Sequence, residues 1–344
     1  MTSPLRVEDF SFDPPYGSRG TTIRPLGPDH FAVDLGSPPE HPGWRTGLQF
    51  TILRNARGRR LRLDVDFDYD RDKEFQYNNY SLSWSYDGID WRPLHWTYGE
   101  SKDGWGNPHN LIFPEFEQDR VYVGMQVPFV AETLEHLLQT WRESPYLEVA
   151  ELGRSVEGRP LLRLTVADFD RLTEDARAHY FKNEHGREGY ARWRMAGIVD
   201  WLLSEEAAEF RRQNICHLVI LSNPDGPAHG WGRVNADGID QNRTFRIDGP
   251  DPEGQPVEQH LCQLDLESMM NSERPLTSFW SFHTWQGPAE VMVRPGTTIP
   301  DWQVVRNNLL DLDTEGLFEP MHDFRPTFQK STMWNEGVHD RFGI

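Results

Sequence analysis

The stretch His217-Leu218-Val219-Ile220-Leu221-Ser222-Asn223-Pro224-Asp225-Gly226 decides the fold. A continuous apolar run is the mark of a strand buried on both faces, inside a largely parallel sheet. Asn-Pro and Asp-Gly are turn formers and stop it. Working outward, Leu161 to Val166 reads as another strand, and His179 to Lys182 as a strand leading into a turn. Tyr190 to Phe210 reads as one long helix with Trp193, Ile198, Trp201 and Leu202 as its apolar residues. Val257 to Met270 predicts a further helix and Ser278 to Phe282 a further strand. Ala131 to Arg142 spaces Leu134, Leu137, Leu138 and Trp141 along one helical face. Strands alternating with helices give an α/β fold: a mixed sheet flanked by helices.

Upstream the pattern changes. Arg60 to Phe67 alternates polar and apolar residues, the period of a half-buried strand, and Tyr80 to Ser85 does the same. The second run enters Tyr86-Asp87-Gly88-Ile89-Asp90-Trp91, where Asp-Gly marks a hairpin turn. Short strands between Pro and Gly signals predict a small all-β sandwich. The expected division is residues 1–125 for the sandwich and 126–344 for the α/β part. Trp84, Trp91, Trp96 and Trp105 fit core packing in the first part, or a sugar-stacking platform.

The formal net charge of -19 argues against nucleic acid or an anionic membrane as a partner. No run of about 18 apolar residues predicts a membrane span, and Met1 to Phe10 carries no apolar signal core. Cys216 and Cys262, the only two cysteines, suit buried thiols in a reducing cytoplasm rather than a disulfide framework. Oligomeric state leaves no trace in the sequence.

The chemistry gathers around His185-Gly186-Arg187-Glu188. A histidine and a glutamate three apart, between a strand and a helix, can face one ion. His283, at the end of the Phe279 to Phe282 run, offers a third ligand where α/β sheets collect them. Two His and one Glu form a catalytic zinc site with one position open. Arg243 beside Asn242 combines a planar fork with an amide, which suits a free carboxylate. Arg233 suits either polarising a carbonyl or a surface ion pair. Each motif alone also reads as an ordinary turn or a solvated polar pair; their order reads as a zinc hydrolase trimming a C-terminus.

Taken together, these residues resemble the M14 metallocarboxypeptidases, most closely the cytosolic carboxypeptidase branch. The resemblance runs from Val127-Pro128-Phe129, similar to the family's join between sandwich and catalytic domain, through Gly153 to Arg159. It continues in His185-x-x-Glu188, Gly197, Asn223-Pro224-Asp225-Gly226, Arg233, Asp240-x-Asn242-Arg243 and Ser281-Phe282-His283. It implies a mixed eight-stranded sheet and one zinc held by His185, Glu188 and His283. It also implies that Arg233 stabilises the oxyanion and that Asn242 and Arg243 clamp the carboxylate of a peptide or protein C-terminus.

The chain departs from the family in three places. Gly186-Arg187 replaces the usual Pro-Gly, giving the His-Gly-x-Glu form of the aspartoacylase-like amidohydrolases. No tyrosine follows Tyr190 to match the late capping residue. The family's general-base glutamate follows a Gly-Ile-like step, and here Arg341-Phe342-Gly343-Ile344 closes the sequence, so the chain is expected to end just before its base. Glu336 is the one glutamate near that end. Three readings stand: a zinc carboxypeptidase, with Arg187 and Lys330 as candidates for attracting an acidic last residue; a zinc amidohydrolase of acyl-amino acids or cell-wall peptides; and a pseudoenzyme that binds C-termini or carbohydrate.

Overall fold

A computed structural model describes residues 3–38, 41, 46–66, 82–94, 110–186, 188–284, 311 and 332–344. Trp96, Trp105, Arg187 and Lys330 lie outside the described residues.

The first nine strands form two sheets. They are β1 (Phe10–Ser11), β2 (Thr22–Gly27), β3 (His30–Asp34), β4 (Phe50–Ile52), β5 (Arg60–Asp66), β6 (Leu82–Ser85), β7 (Arg92–Pro93), β8 (Asn110–Glu115) and β9 (Val121–Met125). One sheet runs β1-β4-β9-β6-β7 and the other β2-β3-β5-β8. The alternation in β5 sends Leu61, Leu63 and Val65 inward, where they meet Phe31, Phe50, Phe113 and Val123 in one core shared by both sheets. This is the expected sandwich. Trp84 is buried in that core, edge-on to Tyr86 and Phe116, and so packs rather than presenting a platform for sugar.

The second part carries β10 (Leu147–Arg154), β11 (Pro160–Val166), β12 (Arg177–Asn183), β13 (Asn214–Val219) and β14 (Leu276–Phe282). Their order is β10-β11-β13-β12-β14. β10, β11 and β13 pair antiparallel, while β13, β12 and β14 run parallel, so the sheet is mixed. Among the described residues this sheet has five strands, where the resemblance implies eight. Helices α1 (Ala131–Trp141) and α2 (Gly189–Leu203) cover one face. On the other lie α5 (Val257–Met270) and α6 (Trp334–Phe342). Two short helices, α3 (Ala208–Gln213) and α4 (Asp225–Ala228), come between them in the chain.

Two expectations need correction. The long helix over Tyr190 to Phe210 is two helices, α2 and α3, parted at Ser204, whose backbone is extended. The buried Arg211 guanidinium donates to the carbonyls of Leu202 and Ser204, so it satisfies the end of α2 that a continuing helix would have used. The central strand is also displaced. β13 starts at Asn214 and ends at Val219, with Ile220 and Leu221 buried beyond it.

The two parts meet along backbone. Gly17 N donates to Ala228 O (3.0 Å), Arg19 N to His229 O (3.3 Å) and Gly47 N to Gly230 O (2.7 Å). The Gln49 side chain donates to Pro227 O at 2.7 Å. Gly230 has φ +68°, and a Cβ there would lie 2.8 Å from Gly47 O and 2.9 Å from Gly17 O, so only glycine fits.

Candidate metal centre

The three parallel strands end side by side, and the register of β12 on β14 pairs Asn183 with Phe282. The chain leaves β12 into Glu184-His185 and leaves β14 into His283, so both histidines emerge at one sheet edge, with ring centroids 5.0 Å apart. Glu188 follows as the residue capping α2. The ligand atoms of His185, Glu188 and His283 all lie within 4.8 Å of one another.

Glu188 Oε1 faces both rings: His185 Nδ1 at 3.0 Å and His283 Nδ1 at 3.1 Å. Burial would raise the Glu188 carboxyl, but the adjacent His283 and His185 outweigh it and hold the group well below the usual carboxylate range. Burial opposes charge on His283, yet Glu188 and then Glu184 push it up to about 10. A fixed carboxylate between two imidazole nitrogens is an N, N, O donor set of the kind zinc takes. The donors present therefore fit the metal that the sequence implies.

Around this cluster stand residues that the sequence reading passed over. Asn183 donates to Glu188 Oε2 (2.8 Å) and to Phe282 O (2.7 Å), so it aims the glutamate and ties the two strand ends. The buried Arg192, one turn into α2, donates to the carbonyls of His185 and Gly186. Gly186 is packed so closely that a Cβ would lie 2.5 Å from Trp231 O and 3.0 Å from Gly226 Cα. That contact accounts for glycine as the residue after His185.

Asp240 joins the cluster to the rest of the constellation. Its Oδ1 lies 3.4 Å from His185 Nε2, and its Oδ2 accepts from Arg233 Nε at 2.6 Å. Burial would raise its carboxyl, but His185 and Arg233 outweigh it and hold it low. Asp240 also caps the short turn Gln241–Arg243 by accepting from Asn242 N at 3.0 Å. Asn242 is buried, and its side-chain oxygen accepts from Trp334 N at 3.0 Å, which leaves its nitrogen as the donor end. Arg243 is exposed, its Nη1 on Asn242 O at 2.6 Å. His41, from the first part of the chain, reaches Gly238 O at 2.7 Å beside the same turn.

Glu336 lies buried in α6, and among the described residues the one cluster that could hold a metal ion is His185, Glu188 and His283. Cys216 and Cys262 are buried, free thiols. No described helix is long and apolar enough to cross a membrane.

The candidate metal-holding cluster and the Asp-x-Asn-Arg turn thus stand together on a carboxypeptidase-like fold. Residues 134–279 match the model of the zinc carboxypeptidase family, peptidase M14. The chain is 32% identical to the human carboxypeptidase N catalytic chain over 28% of its own length, and it spans about a quarter (25%) of that relative. Over both parts of the fold it is similar to a metallo-carboxypeptidase from Burkholderia cenocepacia, at 20% identity and TM-score 0.72, covering 97% of this chain and 87% of that one. It is similar in the same way to a metallo-carboxypeptidase from Pseudomonas aeruginosa, at 20% identity and TM-score 0.70, covering 96% and 86%.

Proposed function

We propose that the protein is a zinc metallocarboxypeptidase that hydrolyses the last peptide or isopeptide bond of a peptide or protein. The observation that carries this reading is the position of Asp240. One carboxylate touches the candidate ligand His185 and the candidate oxyanion partner Arg233, and it caps the turn that carries Asn242 and Arg243. Metal, carbonyl and carboxylate recognition are thus tied to one side chain.

In this reading His185, Glu188 and His283 hold one zinc ion. When bound, zinc supplies Lewis acidity to a carbonyl and acidity to water. Asn242 and Arg243 bind and orient the terminal carboxylate, the amide as a single donor and the guanidinium as a fork. Arg233, held at Nε by Asp240, keeps its two terminal nitrogens to meet the charge that develops on the carbonyl oxygen. Residues 1–125 form the sandwich domain and 126–344 the catalytic domain. An acidic last residue is the preferred substrate side chain, and two buried thiols fit a cytoplasmic setting.

Mass spectrometry of peptides varied at their last residue, incubated with zinc-loaded protein, tests the proposal. Stepwise loss of terminal residues is expected; it is blocked by a chelator and absent from C-terminally amidated peptides. Cleavage confined to N-acyl amino acids would replace this reading with an amidohydrolase. Binding of free C-termini without turnover would replace it with a binding protein.

A further inference from the structure

Lys182 and Glu184 are both completely buried, with Lys182 Nζ 3.6 Å from Glu184 Oε1. Burying an ion pair is costly, and well-packed apolar residues of similar volume commonly do as well or better for stability. The pair therefore calls for a role beyond holding the fold, and its surroundings supply one. Residues two apart on a strand face the same way. In the register of β12 on β14, Lys182 stands opposite Ser281, and Glu184 and His283 each follow two residues on. The four side chains form a ladder from the sheet interior to the metal cluster.

Every group in that ladder has a partner. Glu184 Oε2 lies 3.1 Å from His283 Nε2. Ser281 Oγ donates toward both Glu184 oxygens, at 3.2 and 3.1 Å, and sits 2.9 Å from the same His283 nitrogen. Lys182 donates to Gln259 Oε1 at 3.0 Å and lies 3.9 Å above the Trp334 ring. Trp334 N in turn holds Asn242 Oδ1.

Building on the proposed zinc site, we infer that Glu184 is the positioning residue of the third ligand. Its carboxylate accepts the Nε2 proton of His283, which fixes the ring and commits Nδ1 to the metal. Lys182 serves as the buried counter-ion that keeps Glu184 in place, and Ser281 braces both. Outer carboxylates of this kind orient a ligating imidazole and increase its basicity. Glu184 is placed to do this for His283 from the sheet interior, 3.1 Å from its Nε2.

The test uses the full chain and the metal alone. Zinc affinity is measured by competition with a chromophoric chelator, and the cobalt(II)-loaded protein gives a visible absorption spectrum that reports ligand geometry. Glu184→Gln keeps the shape and loses the charge. It is expected to weaken zinc binding about ten- to a hundredfold and to alter the cobalt spectrum, as outer-partner losses do. Because that variant strands the Lys182 ammonium, the double variant Lys182→Met with Glu184→Gln is measured beside it and is expected to show the same loss. Lys182→Met with Glu184 intact separates the counter-ion from the carboxylate and is expected to bind zinc more tightly than either Gln variant. Wild-type affinity and an unchanged spectrum in a folded Gln variant would overturn the inference while leaving the zinc site intact. A double variant that does not fold would overturn it too, by showing the pair to be structural. A wild-type chain that takes up no zinc would instead sink the proposed function.

Discussion

Asp240 stands 3.4 Å from His185, with its second oxygen held by the Arg233 guanidinium. One carboxylate thus restrains a candidate ligand and a candidate oxyanion partner together. Asp240→Ala should weaken zinc binding about ten- to a hundredfold and lower kcat/KM further, because Arg233 loses its anchor. Chelator competition and steady-state kinetics on the same preparation separate the two losses. Tight zinc binding in a folded Asp240→Ala protein would place Asp240 outside the metal centre.

Glu188 touches both imidazoles, so its loss should be more severe than that of any outer partner. Zinc at a hundred times its Kd should stabilise the wild-type protein by about 2.7 kcal/mol. Glu188→Gln should abolish that gain over the same concentration range, as read from thermal unfolding with and without the metal. Equal stabilisation of both proteins would mean that zinc binds elsewhere.

Arg243 is exposed beside the buried Asn242, an arrangement suited to a fork reaching a carboxylate. Lysine retains the charge but not the fork. Arg243→Lys should cost about 1.5–3 kcal/mol in kcat/KM on peptides with a free C-terminus, the worth of hydrogen bonds to a charged group. Binding of amidated peptides should not distinguish the two proteins.

Burial, with Arg163 and His179 adding to it, pushes the His217 imidazole down from 6.5 to about 4. The folded protein keeps this ring neutral, its Nδ1 3.1 Å from Thr165 Oγ1. On acidification the unfolded chain takes up the proton first, near pH 6.5, and the folded protein only near pH 4. Stability from this group is therefore constant above the upper value and falls as pH drops through the window, by about 3 kcal/mol in all. Urea titrations across that range should show a shallower pH dependence for His217→Gln; parallel slopes would refute the assignment.

At Gly230 the left-handed backbone and the nearby Gly17 and Gly47 carbonyls leave no room for a methyl group. Gly230→Ala should destabilise by about 1–3 kcal/mol from backbone strain alone, with the collision adding to that. An unchanged denaturation midpoint would mean that the loop moves independently of the sandwich.

Much of this molecule is legible in its sequence because periodicity reports burial. The alternation of Leu61, Leu63 and Val65 names a strand and its core face, and the apolar run from His217 to Leu221 names a buried strand but not its end at Val219. The grouping of His185, Glu188 and His283 is legible because their order along the chain is specific. Single polar residues at strand ends carry no period, which is why Asn183 and Glu184 escaped notice. Lys182 lies near the end of a strand whose alternating partners Ala178 and Tyr180 are core, and nothing local distinguishes a buried ammonium from a solvated one. The break at Ser204 depends on Arg211, seven residues on, folding back to take its carbonyl, a contact that helix propensity does not encode.

The joint between the two parts is written largely in main-chain hydrogen bonds, from Gly17, Arg19 and Gly47 to Ala228, His229 and Gly230. Main-chain donors and acceptors are the same in nearly every residue type, so such a seam is indifferent to most substitutions along it. Lineages can exchange most of their side chains and still inherit the same assembly.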